Sequence, residues 1–451
     1  MAVLRVAFIV GAGVSLGACA LITSLDGLEA TGSEAGAADG PGVAPAEADL
    51  ADEPSVPSLS DGAAPFDSAV PSVDASKPTV PFDSTAASTD ASDAHLPADA
   101  PTPPIDSIAP AADSPGACSA NLQTDPLNCG ACGHDCQGGP CTAGACGSVT
   151  LAASHGSVGI AIDSTFVYFA DSEAGVINKV SKSLTRQGTP TLVVSGAAAQ
   201  NVQGIASDGT YVYWTNKLAS GEVRRALPTG AALTTIAANQ AEPDWIASNG
   251  TTVVWTNQGG NQIMSAPATS NGAVAPTQLN VSGENGSTPA GIAVDGTNVY
   301  YASKTSGGGL AESVPLDGGS VSELGTATFV GMAIDATHVY WTGGSENPSV
   351  YQNAKTGTAA TEQTIAAGAL ACPLAVASDG VNVYFLDQGT AACGPPGSDA
   401  GALYRVPVGN TGALPPPLVG GLVDPQGLAV DATAIYWVTG GTVGAVMKLA
   451  K

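Results

Sequence analysis

The sequence predicts an all-β chain: a seven-bladed β-propeller preceded by a disordered tether and a small disulfide-rich module. Three observations carry this. A Gly-Ile-Ala-x-Asp segment recurs seven times, starting at Gly159, Gly204, Trp245, Gly291, Gly331, Ala375 and Gly427, with spacings of 45, 41, 46, 40, 44 and 52 residues. Between these segments lie strand-length apolar runs joined by Asp-Gly, Gly-Thr and Gly-Gly turns, with no helical period, which is the pattern of four-stranded blades. Upstream of residue 118 the composition changes to Ala, Pro, Ser, Asp and Gly, and at the boundary six cysteines fall between Cys118 and Cys146.

Taken from the start of the chain, Arg5 precedes a short apolar run, Val6 to Leu16, too brief to span a bilayer as a mature helix and suited to a signal peptide over residues 1–18. The run ends in Leu16-Gly17-Ala18-Cys19, which resembles the lipobox of bacterial lipoproteins. The resemblance implies that Cys19 becomes the lipidated first residue and anchors the chain to a membrane. Residue 20 is Ala and not the Asp that marks inner-membrane retention in enteric-type systems, so an outer-membrane or cell-surface location in a Gram-negative envelope is expected. Of nine cysteines, removing Cys19 leaves eight, an even number suited to pairing in an oxidising compartment.

Residues 19–117 carry most of the charge. Lys plus Arg number 13 against 39 Asp plus Glu, a formal net charge of -26. In 20–117 alone there are 17 acidic residues and one Lys, Lys77, with only Phe66 and Phe82 as aromatics. So little large apolar surface cannot offset backbone ordering, and the segment reads as a disordered acidic tether with a reach of roughly 50 Å. A glycosylated Ser/Thr/Pro-rich stalk is the alternative. The acidic excess and the lack of a basic stripe exclude nucleic acid as a natural partner.

Cys118, Cys129, Cys132, Cys136, Cys141 and Cys146 form the module at 118–146, interleaved with glycines. Structural disulfides are the favoured reading for an exported chain, and six cysteines allow fifteen pairings. Zinc held with His134, or redox chemistry at Cys129-Gly-Ala-Cys132, are the alternatives; the second lacks the βαβ context that a thioredoxin-like site needs. The run Cys-Gly-x-Cys-Gly-x-x-Cys resembles Stig1-like cysteine repeats of extracellular proteins.

Residues 147–451 form the propeller. The second segment of each unit reads Tyr168-Phe-Ala-Asp171, Tyr213-Trp-Thr-Asn216, Val254-Trp-Thr-Asn257, Tyr300-Tyr-Ala-Ser303, Tyr340-Trp-Thr-Gly343, Tyr384-Phe-Leu-Asp387 and Tyr436-Trp-Val-Thr439. These resemble the Tyr-Trp-Thr-Asp repeats of low-density lipoprotein receptor propellers, which implies the fold. That family has six blades where seven units occur here, and no unit has the full motif, so receptor ligands do not transfer. The aromatic rings are expected to fill the wedges between twisted sheets. The Asp that ends each inner strand is expected to accept hydrogen bonds from the following turn, a structural role. The last unit stops after its third strand, and Ser148 to Ala153 is expected to supply the fourth.

Chemistry is sparse. The only Gly-x-Ser-x-Gly match, Gly13 to Gly17, lies in the signal peptide, and the four histidines are scattered at 95, 134, 155 and 338. Lactonase-like propellers resembling gluconolactonases hold a divalent ion with clustered carboxylates. Here Glu242 and Asp244 mark one channel entrance without a matching set, so no cofactor and no metal are expected. Cys372 precedes an inner strand and Cys393 lies in the longest insertion, so the two are expected to pair and pin 388–401. Trp245 replaces Gly or Ala at the mouth of an inner strand, and Gln203 and Gln426 match Asp244 in two other blades. Gln203, Asp244, Trp245 and Gln426 are thus the candidate binding rim, with a channel plug as the alternative for Trp245. The functional expectation is a lipid-anchored binding or scaffolding module for protein, peptide or glycan. A lactonase-like hydrolase or lyase and a purely structural envelope protein are the alternatives.

Overall fold

The computed structural model describes residues 119–451 apart from 173, 281–287, 306–307, 328–330, 344–346, 390–400 and 442. The lipobox, the tether, Cys118 and Cys393 lie outside the described residues. Seven four-stranded antiparallel sheets are present. Blade 1 runs through Ser157–Ile162, Phe166–Asp171, Val176–Ser181 and Thr191–Ser195 from the centre outward. The inner strands of blades 2 to 7 are Val202–Ser207, Pro243–Ser248, Thr288–Val294, Met332–Ile334, Pro373–Ser378 and Pro425–Val430. Blade 7 closes as the sequence predicts: Val149–Ser154 pairs with Gly444–Ala450 and supplies its outer strand. Among the described residues no helix is long and apolar enough to cross a membrane.

The repeated motif explains how the sheets fit together. Six of the seven inner strands carry a bulge near their start, as between Val202 and Ile205 or Pro425 and Leu428; the short Met332–Ile334 pairs in unbroken register. The motif glycine sits there because the next blade's inner strand presses against it. A Cβ on Gly204 would lie 2.4 Å from the Asp244 carbonyl oxygen, and one on Gly427 would lie 3.0 Å from an Ile160 methyl. Threonine pins the same seam. Thr215 Oγ1 accepts the Gly204 N–H at 3.0 Å and donates to the Asp244 carbonyl at 2.5 Å, joining blades 2 and 3. Thr342 does the same between Gly331 and Leu374.

Seven apolar clusters fill the wedges, one for each blade interface, as that between blades 1 and 2 around Tyr168, Ile177, Val193 and Trp214. Trp214, Trp255, Trp341 and Trp437 are fully buried, as expected for wedge-filling rings. Three of the four also satisfy their indole N–H. Trp214 donates to the Ala198 carbonyl at 2.7 Å, Trp341 to the Thr326 carbonyl at 2.7 Å and Trp255 to Gln240 Oε1 at 3.1 Å.

The cysteine module is knotted by Cys129–Cys141 and Cys136–Cys146, two of the pairings that sequence left open. Cys129, Cys136 and Cys146 sulfurs lie within 4.8 Å of one another, but these are the atoms of the two bridges, so this trio has no thiolate to offer zinc. Cys132 is disulfide-bonded as well. The module docks on the end of blade 7. His134 lies with its ring nitrogens 2.5 Å from the Cys129 carbonyl and 2.6 Å from the Lys451 carbonyl oxygen, and Gln137 donates to the Thr433 carbonyl at 3.1 Å.

Candidate functional site

The two ends of the propeller differ in how their polar groups are used. At the end where inner strands turn into second strands, each Asp of the motif accepts backbone N–H groups from its turn. Asp163 Oδ1 takes those of Thr165 and Phe166, and Asp431 Oδ1 those of Thr433 and Ala434. The other carboxylate oxygen accepts the tyrosine hydroxyl of the same blade: Tyr168 at 2.5 Å, Tyr213 at 2.6 Å, Tyr300 and Tyr384 at 3.0 Å, Tyr436 at 3.2 Å, and Tyr340. Burial first, then the adjacent carboxylate, pushes these phenols up, Tyr300 to about 12.

A third partner comes from the next blade around the ring. Lys355 reaches Asp295 at 2.9 Å, Lys451 reaches Asp379 at 2.6 Å, and Lys182 pairs with Asp431 across the closure. Each ammonium also lies over the ring of the tyrosine bonded to that Asp. Where the next blade has no lysine after its third strand, it offers an inner-strand serine: Ser378 Oγ lies 3.4 Å from Asp335, and Ser248 hydrogen-bonds the Tyr213 hydroxyl. Blade 4 offers blade 3 neither, with Val294 and Leu316 at these positions, and blade 3 carries Asn249 in place of Asp, whose Nδ2 donates to the Asp295 carbonyl at 2.6 Å.

Burial works to raise Asp295, Asp379 and Asp431, but the lysine and backbone donors outweigh it and hold all three below the ordinary 3.8, Asp431 at about 2. A depressed folded value means stability that is present above the unfolded value and lost as pH falls through the folded one. The thermal midpoint is therefore expected to fall from about pH 4 downward. Lys355→Met is expected to cost about 0.5–1 kcal/mol at pH 7 and to flatten that acid limb, as thermal melts across pH 2–7 would show.

At the opposite end, the mouth, chains enter the inner strands and leave the second strands. Asp171 accepts the His155 N–H at 3.2 Å, and Asp387 accepts those of Ala371 and Cys372 at 3.0 and 2.5 Å. Asn216 instead donates to the Ala198 and Gln200 carbonyls. Cys372 is disulfide-bonded, and its carbonyl accepts the Gln388 N–H at 2.9 Å, which puts it at the root of the long insertion; its expected partner Cys393 lies outside the described residues.

Inside the mouth is a cavity of about 120 Å³ bounded by inner strands of blades 1, 2, 3, 5, 6 and 7. Its floor is aliphatic, with Ile160, Ile205, Ile246, Met332, Val376 and Leu428. Gln203, Trp245 and Gln426 form its polar rim, so three of the four candidate residues are brought together. Asp244 is not. It is turned away into an ion pair with Lys217 at 3.1 Å and is 6% exposed. Burial raises the Asp244 carboxyl, against the pull of Lys217. Trp245 also packs on the blade 3–4 cluster with Ile292 and Tyr301, so it forms wall as well as rim.

Sequence reasoning missed Asp424, a 7% exposed carboxylate behind the rim, raised by burial and bonded by Gln426 Nε2 at 2.5 Å and Gln388 Nε2 at 3.4 Å. Its signal is its left-handed backbone, φ 45°, shared by Asn201 and Glu242 at the same repeat position. The described lining of the cavity contains no carboxylate, imidazole or thiol.

No family model matches the chain, and no curated protein does either. Solved structures with a similar course include a nidogen/laminin complex, 21% identical with TM-score 0.41, covering 53% of this chain and 89% of that one. A WD40 β-propeller domain of Doa1 is 10% identical with TM-score 0.49, covering 67% and 97%. BamB from Moraxella catarrhalis is 13% identical with TM-score 0.41, covering 69% and 87%.

Proposed function

We propose that this chain is a lipid-anchored binding module of a Gram-negative cell envelope, which holds a macromolecular partner against the mouth of its propeller. One observation supports the reading above others: the ends of the ring are unequal. At the far end the motif carboxylates and tyrosines are used up in holding blades together. At the mouth, the Gln203 carboxamide and the Trp245 indole N–H carry no hydrogen bond to another described group; exposed apolar side chains stand at both ends, Leu218, Val423 and Val443 at the mouth and Leu233, Val274, Val321 and Val381 at the far one, so the inequality lies in the polar groups. Uncommitted polar groups beside exposed apolar ones are what an interface core and rim require. A protein or peptide partner suits this mixture best; a glycan face would call for exposed aromatic platforms. A hydrolase or lyase would need an acid or base in the cavity wall, and the described wall supplies none.

The test uses the full chain in a Gram-negative host. Cys19→Ser is expected to move the protein from the membrane fraction to the soluble one. A photo-crosslinking residue at Val443 or Leu218 is expected to capture a partner, and one at Val381, 71% exposed at the far end, is expected not to. Equal capture from both ends would overturn the reading.

A further inference from the structure

We infer that the mouth cavity is an anchor pocket for one aromatic ring bearing a single neutral hydrogen-bonding group, the chemistry of a phenol. The inference rests on the proposed use of the mouth face and names what that face grips. Size comes first. A cavity of about 120 Å³ is smaller than a site for a whole drug-sized ligand and close to the volume that takes up a benzene-sized group. It therefore fits one ring or one side chain.

Polarity is arranged in depth. The side chains beyond the rim are aliphatic, so a ring seated there meets Ile160, Ile205, Ile246, Met332, Val376 and Leu428 on its faces and edges. The rim then offers Gln203 as both donor and acceptor, the indole N–H of Trp245 as donor, and Gln426 through Oε1, its Nε2 being given to Asp424. A ring seated on the floor brings a para substituent to the level of these groups, and the Trp245 indole supplies an aromatic wall.

Charge is excluded in both senses. No charged side chain lines the described wall, so an ammonium or a carboxylate would be buried without a counter-ion. Asp244 and Asp424 stand just behind the rim, which makes an anion worse still.

Phenol, N-acetyl-tyrosinamide, benzoate and N-acetyl-lysinamide would each be titrated into the full chain while tryptophan emission is followed. Four of the five tryptophans are fully buried, so a ring entering the cavity is reported by Trp245, and the signal should vanish in Trp245→Phe. Phenol and N-acetyl-tyrosinamide are expected to saturate with Kd on the order of 1 mM, and the two charged probes to bind at least tenfold more weakly. Val158→Phe fills the cavity and should abolish uptake with the unfolding transition intact. Gln203→Leu should weaken phenol at least fivefold while leaving toluene unchanged, which a purely structural role of Gln203 would not do.

A blocked Gly-Tyr-Gly peptide binding tenfold tighter than phenol would assign the ring to a polypeptide partner, and equal affinity would assign it to a free small molecule; the proposal stands in either case. Absence of saturable binding in the wild-type chain, or uptake unchanged by Val158→Phe, would overturn it. Uptake of phenol without crosslinking from Val443 would sink the binding-face reading and spare the pocket, and crosslinking without uptake would do the reverse.

Discussion

Deleting Val149–Ser154 from the full chain is expected to abolish cooperative unfolding of the propeller. The strand pairs with Gly444–Lys448, and Leu151 and Ala152 are fully buried in the cluster between blades 7 and 1. Without it the third strand of blade 7 becomes an exposed edge, a template for association, and the ring loses the strand through which the start of the propeller completes its last blade. The loss reaches further through Lys448, which is 1% exposed and donates to the Lys182 and Leu184 carbonyls of blade 1 at 3.1 and 2.8 Å. Burial holds this ammonium below its usual range, so it is an expensive group to leave without its acceptors. The expected result is a broad, non-cooperative melt and association in sedimentation; a sharp single transition within a few degrees of the wild type would show that six and three-quarter blades suffice.

Alanine at the wedge tryptophans is the second large effect. Trp214→Ala or Trp341→Ala should cost about 3–5 kcal/mol, a large part of the 5–15 kcal/mol typical of a folded domain. Phenylalanine separates packing from hydrogen bonding. Trp214→Phe removes the donor to the Ala198 carbonyl, which keeps Asn216 Nδ2 at 3.4 Å, and is expected to cost about 0.5–1.5 kcal/mol beyond the lost packing. Trp437 Nε1 is buried with no hydrogen-bond partner among the described residues, so Trp437→Phe should cost only the lost packing. Trp245→Ala is expected to cost less than any of these alanine variants, because part of that ring faces the cavity. Chemical denaturation of the five variants, compared at constant m, checks the ranking.

Much of this architecture was legible because one physical demand repeats seven times. A glycine where two inner strands nearly touch and a ring in each wedge leave marks at fixed spacing, and so does the Asp that holds the following turn. What the spacing could not show was who else reaches those carboxylates. The tyrosine hydroxyl is five residues away within the blade, but Lys182, Lys355 and Lys451 come from the neighbouring blade, and no local pattern announces them. The candidate site was legible in position and less so in orientation. Gln203, Asp244 and Gln426 occupy one repeat position, yet Asp244 is pulled aside by Lys217 of the blade before it, a decision made by a long side chain two strands away. The disulfide partners followed the same rule: parity and compartment predicted bonding, and only the fold selected Cys129–Cys141 and Cys136–Cys146.

The alternation of lysine, serine and asparagine around the far end has a further consequence. Five of the seven junctions carry such a code: aliphatic inner strand with lysine at blades 4–5, 6–7 and 7–1, serine with an aliphatic at blades 2–3 and 5–6. Blades are therefore addressed to their neighbours and are not interchangeable copies. Moving blade 5 between blades 2 and 3 would bring Lys355 beside Asp208 in place of Ser248, and would strand Asp295 without a cation. A lineage that adds a blade must write two junctions anew and one that loses a blade must write one, so the order of the units, and with it the circumference of the ring, is written into its side chains.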